Sequence, residues 1–186
     1  MGKLIYSMNV SLDGFVETVD HGLEWTVVDD ELHSWFNQQE GDAEAFLYGR
    51  RLYELMSDYW PTAESDPNLT PVMAEYARIW TAKPKFVFSS KLDSVDWNSQ
   101  LVRGDLLGQV GRIRDEVGGR ISVGGATLAA DLVRHNLIEE YRLVVHPVIL
   151  GAGTPFFPPL PQPLDLELFE TRTFASGAMY LGYRRR

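Results

Sequence analysis

The sequence predicts an α/β fold: three layers around a twisted, mostly parallel central sheet, with an antiparallel C-terminal hairpin. Three observations predict it. Short apolar runs of strand length alternate with segments of helical period along most of the chain. Gly-bearing turns separate several of these pairs. Two strand-like runs then follow one another at the end, joined across Ser176-Gly177. Strands that alternate with helices pair in parallel, because the crossover helix returns the chain to the same edge of the sheet.

The elements follow in order. Lys3 to Val10 reads as a strand, ended by the turn residues Ser11-Leu12-Asp13-Gly14. A polar loop runs to Thr26. Asp29 or Asp30 caps a helix to about Gln39, with Leu32, Trp35 and Phe36 at helical spacing. Ala45 to Tyr48 is a short strand ending at Gly49, and a helix follows from Arg50 to Met56. Three prolines make Pro61 to Pro71 a loop. Pro71 to Ala82 is helical, Lys85 to Ser89 a buried strand and Leu101-Val102 a short one. Asp105 to Val117 is helical, with Leu106, Val110, Ile113 and Val117 on one face. Ile121 to Val123 is a strand stopped by Gly124-Gly125, and Ala126 to His135 a helix. Tyr141 to Ile149 is a long apolar strand, followed by a Pro/Gly-rich loop from Gly151 to Pro163. Leu164 to Thr173 and Ala178 to Arg184 form the hairpin.

A length of 186 residues suits one domain spanning 1–186, and no linker divides it. The net charge of -9 argues against nucleic-acid binding, which needs basic surface to neutralise phosphates. Local cations and backbone N–H groups can still hold an anionic small molecule. The absence of cysteine excludes disulfides, thiolate catalysis and Cys-ligated zinc. His21, His33, His135 and His146 show no ligand spacing, so no metal is expected. No apolar run reaches membrane-spanning length, and the N-terminus has no signal-peptide layout. A cytoplasmic protein is expected. A symmetric homodimer through the Tyr141–Ile149 strand and the loop after it is a further expectation.

In open α/β sheets, ligands sit outside the carboxyl ends of the strands. Three such ends are distinctive here. Gly49-Arg50-Arg51-Leu52-Tyr53 joins a helix N-terminus to two cations. Ser89-Ser90-Lys91 offers two hydroxyls and an ammonium. Gly124-Gly125-Ala126-Thr127 opens a helix with residues that let a diphosphate approach the backbone. Each alone reads first as a turn, a solvated loop or a surface residue pairing with Glu54. Together, at consecutive strand-to-helix junctions, they point to a phosphate-bearing ligand.

These segments carry a resemblance. Ser11-Leu12-Asp13-Gly14-Phe15, Gly49-Arg50-Arg51-Leu52-Tyr53-Glu54 with Tyr59-Trp60-Pro61, Phe88-Ser89-Ser90-Lys91, Val123-Gly124-Gly125-Ala126-Thr127-Leu128 and His146 to Gly153 cover nearly the whole chain. The set resembles the dihydrofolate-reductase-like superfamily, in the branch of the riboflavin-biosynthesis reductase C-terminal domain. The resemblance implies NADPH as cofactor and hydride transfer to a small pyrimidine or pterin-like substrate. It implies 5-amino-6-(5-phosphoribosylamino)uracil or a related compound first, and dihydrofolate second. A non-catalytic nucleotide-binding module is the alternative of another class.

The resemblance also implies roles. Arg50, Arg51 and Leu52, with Gly49 before them, would sit at the cofactor phosphates. Ser89, Ser90 and Lys91 would face the adenosine side and its 2′-phosphate, with Arg103 as a second cation. Gly125, Ala126, Thr127 and Leu128 would cover the diphosphate, and Gly124-Gly125 matches a pair joined by a cis peptide in dihydrofolate reductases. Met8, Asn9 and Val10 would border the nicotinamide, with Phe15 and Val16 on the loop over it. Asp13 and Glu31 are the candidate proton donors. The pattern departs at Leu32, where dihydrofolate reductases place a carboxylate. Glu31 is one residue, or about 100° of helix, away. Asp29, Asp30 and Glu31 read first as N-terminal capping and dipole compensation. The remaining aromatic and histidine candidates, Trp25, Trp35, Trp60 and His146, read first as core.

Overall fold

A computed structural model describes residues 1–186. Its centre is an eight-stranded sheet in the order β5-β4-β3-β6-β1-β7-β10-β9. The strands are β1 (Lys3–Ser11), β3 (Ala45–Gly49), β4 (Lys85–Phe88), β5 (Ser99–Val102), β6 (Arg120–Gly124), β7 (Ile138–His146), β9 (Leu166–Thr173) and β10 (Met179–Arg185). β5 through β7 run parallel, while β10 pairs antiparallel with both β7 and β9. The predicted parallel sheet with a terminal antiparallel hairpin is the one found.

Alternation within the strands builds the three layers. Leu4 and Tyr6, Ala45 and Leu47, and Phe86 turn to one face. There they meet α4 (Leu106–Val117) through Val110 and Ile113, and α5 (Ala126–Arg134) through Leu128 and Leu132. Phe46, Tyr48 and Val87 turn to the other face. They meet Tyr53 of α2 (Arg50–Tyr59) and Tyr76 and Trp80 of α3 (Pro71–Ala82). Further along that face, α1 (Asp30–Gly41) lays Leu32 and Trp35 on Val144, Phe174 and Tyr180. Period-two strands between amphipathic helices leave both faces of the sheet covered, as parallel pairing requires.

Several boundaries differ from the sequence reading, each for a physical reason. The long strand runs from Ile138 to His146, three residues earlier than expected. Ile138 pairs with Leu4, and Pro147, which has no N–H to donate, follows the last ladder residue His146. In the sheet β7 lies between β1 and β10. Exposed apolar side chains in this part of the fold are Ile149 and Phe157 in the segment after β7, and Leu168, Phe169 and Met179 on β9 and β10. The loop after β1 contains β2 (Phe15–Glu17), paired antiparallel with β8 (Thr154–Pro155) from the Pro/Gly-rich loop. A three-residue and a two-residue strand are too short to show a period. The Pro-rich segment before α3 begins as a 3-10 helix over Trp60–Ser65, with Pro61 in its first turn where a missing N–H is harmless. No helix is long and apolar enough to cross a membrane.

Candidate functional site

A cleft of about 750 Å³ lies at the carboxyl ends of β1, β3, β4, β5 and β6. That volume suits a small-molecule or cofactor site. The three chain segments singled out in the sequence converge on it. Gly49, Arg50, Arg51 and Leu52 line it from the start of α2. Ser89, Ser90 and Lys91 line it from the loop after β4, with Arg103 beyond β5. Gly125, Ala126, Thr127 and Leu128 line it from the start of α5. Met8 and Val16 complete the wall, with Glu17, His21, Leu23 and Thr154 from the β2–β8 side.

Helix capping separates the site from the rest of the fold. The N-termini of α1, α3 and α4 are closed by side chains: Asp29 accepts from Leu32 N, Thr70 from Met73 N and Asp105 from Gly108 N. The N-termini of α2 and α5 have glycine at the cap position, Gly49 and Gly125, and no side-chain cap hydrogen bond. Both open onto the cleft. The first N–H groups of a helix need acceptors, and they lie at the positive end of its dipole. Two such ends at one cleft make a site for a multiply charged anion. The backbone at Gly125 takes φ +95°, a conformation that favours glycine. The Gly124–Gly125 peptide is trans, not cis as the resemblance implied.

The cleft departs from the charge of the whole molecule. Four cations line it (Arg50, Arg51, Lys91 and Arg103) against three carboxylates, Glu17, Glu54 and Asp131. Arg50 is held by Glu54 one turn along α2, at 2.8 and 3.1 Å. Arg51 donates to both oxygens of Glu17 on β2, at 3.2 and 2.8 Å. Arg103 donates to the Leu92 carbonyl. The Ser89 hydroxyl oxygen accepts from the N–H groups of Lys91 and Leu92, so it shapes the loop that presents the exposed Ser90 and Lys91.

The remaining sequence candidates lie outside the cleft lining. Val10 is buried in the core. Gly124 is also buried and packs beneath Leu52. Asn9 accepts at 2.9 Å from Nε2 of His146, whose Nδ1 receives the Val27 N–H. His146 is therefore a buried, hydrogen-bonded histidine, and burial pulls its pKa below the ordinary value.

Asp13 and Glu31, the two proton-donor candidates, are occupied elsewhere. Asp13 accepts from the Ser11 hydroxyl at 2.7 Å and from the N–H groups of Leu150 and Gly151 at 3.1 and 2.8 Å. It ties the first turn to the loop after β7, and these bonds, Ser11 first, hold its carboxyl below the usual carboxylate range. Glu31 accepts from Ala175 N and Arg172, which lower its pKa as well. The turn reading accounts for Asp13; the cap of α1 is Asp29, whereas Glu31 bonds across to Arg172 and Ala175 instead of capping, and a carboxyl held as the anion is a poor acid. Trp35 and Trp60 are packing residues: Trp35 lies against Phe174 and Tyr180, and Trp60 against His33 and Tyr76.

What the sequence reading missed is Glu17. It receives Arg51, the Thr154 hydroxyl at 2.6 Å, and His21, whose Nδ1 is 2.9 Å away. Burial pushes its carboxyl up, but these hydrogen bonds and the Arg51 charge bring it below the ordinary range. Its partners are 4, 34 and 137 residues away, so no local pattern marks it.

Residues 2–180 match the family model described as the RibD C-terminal domain. The chain belongs to the RibD C-terminal domain family. It is 31% identical over 182 residues to the uncharacterized protein YyaP of Bacillus subtilis (strain 168), covering 97% of this chain and 94% of YyaP. Among solved structures, it is similar to a putative riboflavin biosynthesis protein from Shewanella sp. PV-4. There the TM-score is 0.78 at 18% identity, covering 100% of this chain and 99% of that one. It is also similar to the diaminohydroxyphosphoribosylaminopyrimidine deaminase/5-amino-6-(5-phosphoribosylamino)uracil reductase of Thermotoga maritima. That TM-score is 0.69 at 13% identity, covering 100% of this chain but 57% of that one. These structures share the fold of this chain.

Proposed function

We propose that this RibD-family chain is an NADPH-dependent reductase acting on a small pyrimidine of the 5-amino-6-(5-phosphoribosylamino)uracil class. The observation that carries the reading is the pair of uncapped helix N-termini, at Gly49 and Gly125, facing one cation-lined cleft. A diphosphate-linked dinucleotide fits that donor set: two helix ends for its diphosphate, and Ser90, Lys91 and Arg103 for a 2′-phosphate. Met8 and Val16 give the opposite end an apolar wall for a flat ring. When bound, NADPH supplies the hydride, so the chemistry is the cofactor's.

The chain's own part is to bind, orient and shield. The start of α2 and the start of α5 fix the ligand from two directions, and the β2–β8 pair bounds the cleft beside Val16. With Asp13 and Glu31 engaged elsewhere, water entering the cleft supplies the proton that accompanies hydride at the reduced C=N or C=O group. The buried Leu32, where dihydrofolate reductases have a carboxylate, favours the pyrimidine over dihydrofolate. A carboxylate at that place would have to be accommodated among Trp35, Phe174 and Tyr180.

The test is a thermal-shift titration with NADPH and NADH, followed by NADPH oxidation with each candidate substrate. A ligand at 100 times its Kd stabilises by about 2.7 kcal/mol. NADPH is expected to raise the melting temperature clearly more than NADH. No shift with either would remove the cofactor assignment, and binding without turnover of any substrate would leave a nucleotide-binding module.

A further inference from the structure

We propose that Glu17 sets the affinity of the cleft by competing with the bound ligand's phosphate for Arg51; the proposal rests on the cofactor reading above. Arg51 stands in the first turn of α2, beside the uncapped N–H groups at Gly49. Its two terminal nitrogens, Nη1 and Nη2, donate to the two oxygens of Glu17. A phosphate at this helix end would ask for the same fork. A phosphate that takes the Nη1–Nη2 fork displaces Glu17 from it.

The two partners differ in freedom. The Glu17 side chain is 14% exposed and the Arg51 side chain 45%. Glu17 is also fixed by Thr154 and His21, whereas no other side-chain hydrogen bond holds Arg51. Arg51 is thus the member that moves. When it turns to a phosphate, Glu17 stays on Thr154 and His21 as an anion at the cleft wall. Binding then loses one ion pair and leaves a carboxylate near an anionic ligand. The other cleft cations are placed differently. Arg50 pairs with a residue of its own helix, Arg103 meets a carbonyl and Lys91 has no ion-pair partner. Only the Arg51 pair joins α2 to the β2–β8 side of the cleft.

The proposal predicts an effect of unusual sign: removing the charge of an acid in the cleft tightens binding. Glu17→Gln keeps an oxygen to accept from Thr154 and removes the charge. Isothermal titration with NADPH is to be run on the full-length wild type, Glu17→Gln, Arg51→Ala and the double variant, at low and high salt. Glu17→Gln is expected to lower Kd about two- to fivefold at low salt, the scale of a partly exposed ion pair. The gain should shrink at high salt. It should vanish in the Arg51→Ala background, because the competition runs through that guanidinium. Thr154→Val removes one hydrogen bond from Glu17 but not its charge, and is expected to give no tightening. Unchanged or weaker binding by Glu17→Gln overturns the proposal. So does an equal gain without Arg51, or tightening by Thr154→Val, which would trace the effect to a loosened β2–β8 pair. If wild type binds no NADPH, the cofactor reading falls and this proposal with it. If wild type binds and Glu17→Gln does not bind tighter, only the role of Glu17 falls.

Discussion

Leu52 and Gly124 are matched in shape across α2 and β6: a Cβ on Gly124 would stand 2.3 Å from Leu52 Cδ2 and 2.9 Å from Tyr48 Cε1. The contact holds the start of α2, and with it Arg51, at the height of the sheet where the cleft opens. Gly124→Ala is therefore expected to destabilise the protein by about 1–3 kcal/mol through overpacking. It should also weaken NADPH binding by tilting the helix start. Leu52 can move more easily than the Tyr48 ring, so adding Leu52→Ala should recover part of the stability. Urea denaturation of the two single variants and the double variant measures both effects; additive losses would show that Leu52 and Gly124 do not share the contact.

That pair also marks what a sequence can and cannot disclose. The three glycine-bearing or cationic junctions were legible because each lies on consecutive residues at a strand end, where the fold class itself places ligands. Gly124 was legible as a special position but not in its role: the neighbours that exclude a Cβ come from 72 and 76 positions away, so packing rather than phosphate demands glycine. Parallel pairing with an antiparallel end followed from the alternation of strand and helix, whereas the strand order did not, and β7 was displaced by three residues because its register depends on pairing with β1. Glu17 stayed hidden because it acts through β2 and β8, elements set by tertiary contacts. Asp13 looked like chemistry because its turn is distinctive; its occupation, capping Leu150 and Gly151, appears only when the two loops are brought together.

Glu40 should give the protein a pH-dependent stability. Burial lifts its carboxyl to about 7, against the hydrogen bond from Ser122 and the charges of Arg142 and Lys83. A raised carboxyl binds its proton more tightly in the folded state. Its share of stability is complete below the unfolded value near 4.5 and is lost as pH rises through about 7. Glu40→Gln keeps an oxygen for Ser122 and carries no titration. Compared with wild type, the variant should gain stability from acid to mildly alkaline pH by at least about 1 kcal/mol. Urea denaturation on both sides of the window measures the difference; a difference independent of pH would remove the assignment.

Glu31 separates the pyrimidine reading from a dihydrofolate-reductase-like role for α1. Its oxygens go to Arg172 and the Ala175 N–H, while Leu32 takes the inward position beside Trp35. Glu31→Gln should leave the steady-state rate within about twofold, as for an exposed substitution remote from a site. The pH dependence of kcat should likewise stay in place. A loss of a hundredfold or more, the scale of removing a general acid, would return Glu31 to the chemistry.

Selection for the 2′-phosphate should reside in Lys91 and Arg103. Both are exposed at the end of the cleft formed by the loops after β4 and β5. The Ser89 hydroxyl oxygen accepts from the Lys91 and Leu92 N–H groups, and the Lys91 ammonium is the one cation of this loop. NADH lacks the phosphate but shares the diphosphate, so it should depend on the helix starts at Gly49 and Gly125 alone. Lys91→Ala and Arg103→Ala are each expected to raise the Kd for NADPH about tenfold, the scale of one charge-assisted hydrogen bond. The Kd for NADH should change less than twofold, and the double variant should bind the two nucleotides with similar affinity. Equal weakening of both nucleotides would mean that these cations act on the diphosphate instead, and would reverse the orientation assigned to the cofactor in the cleft.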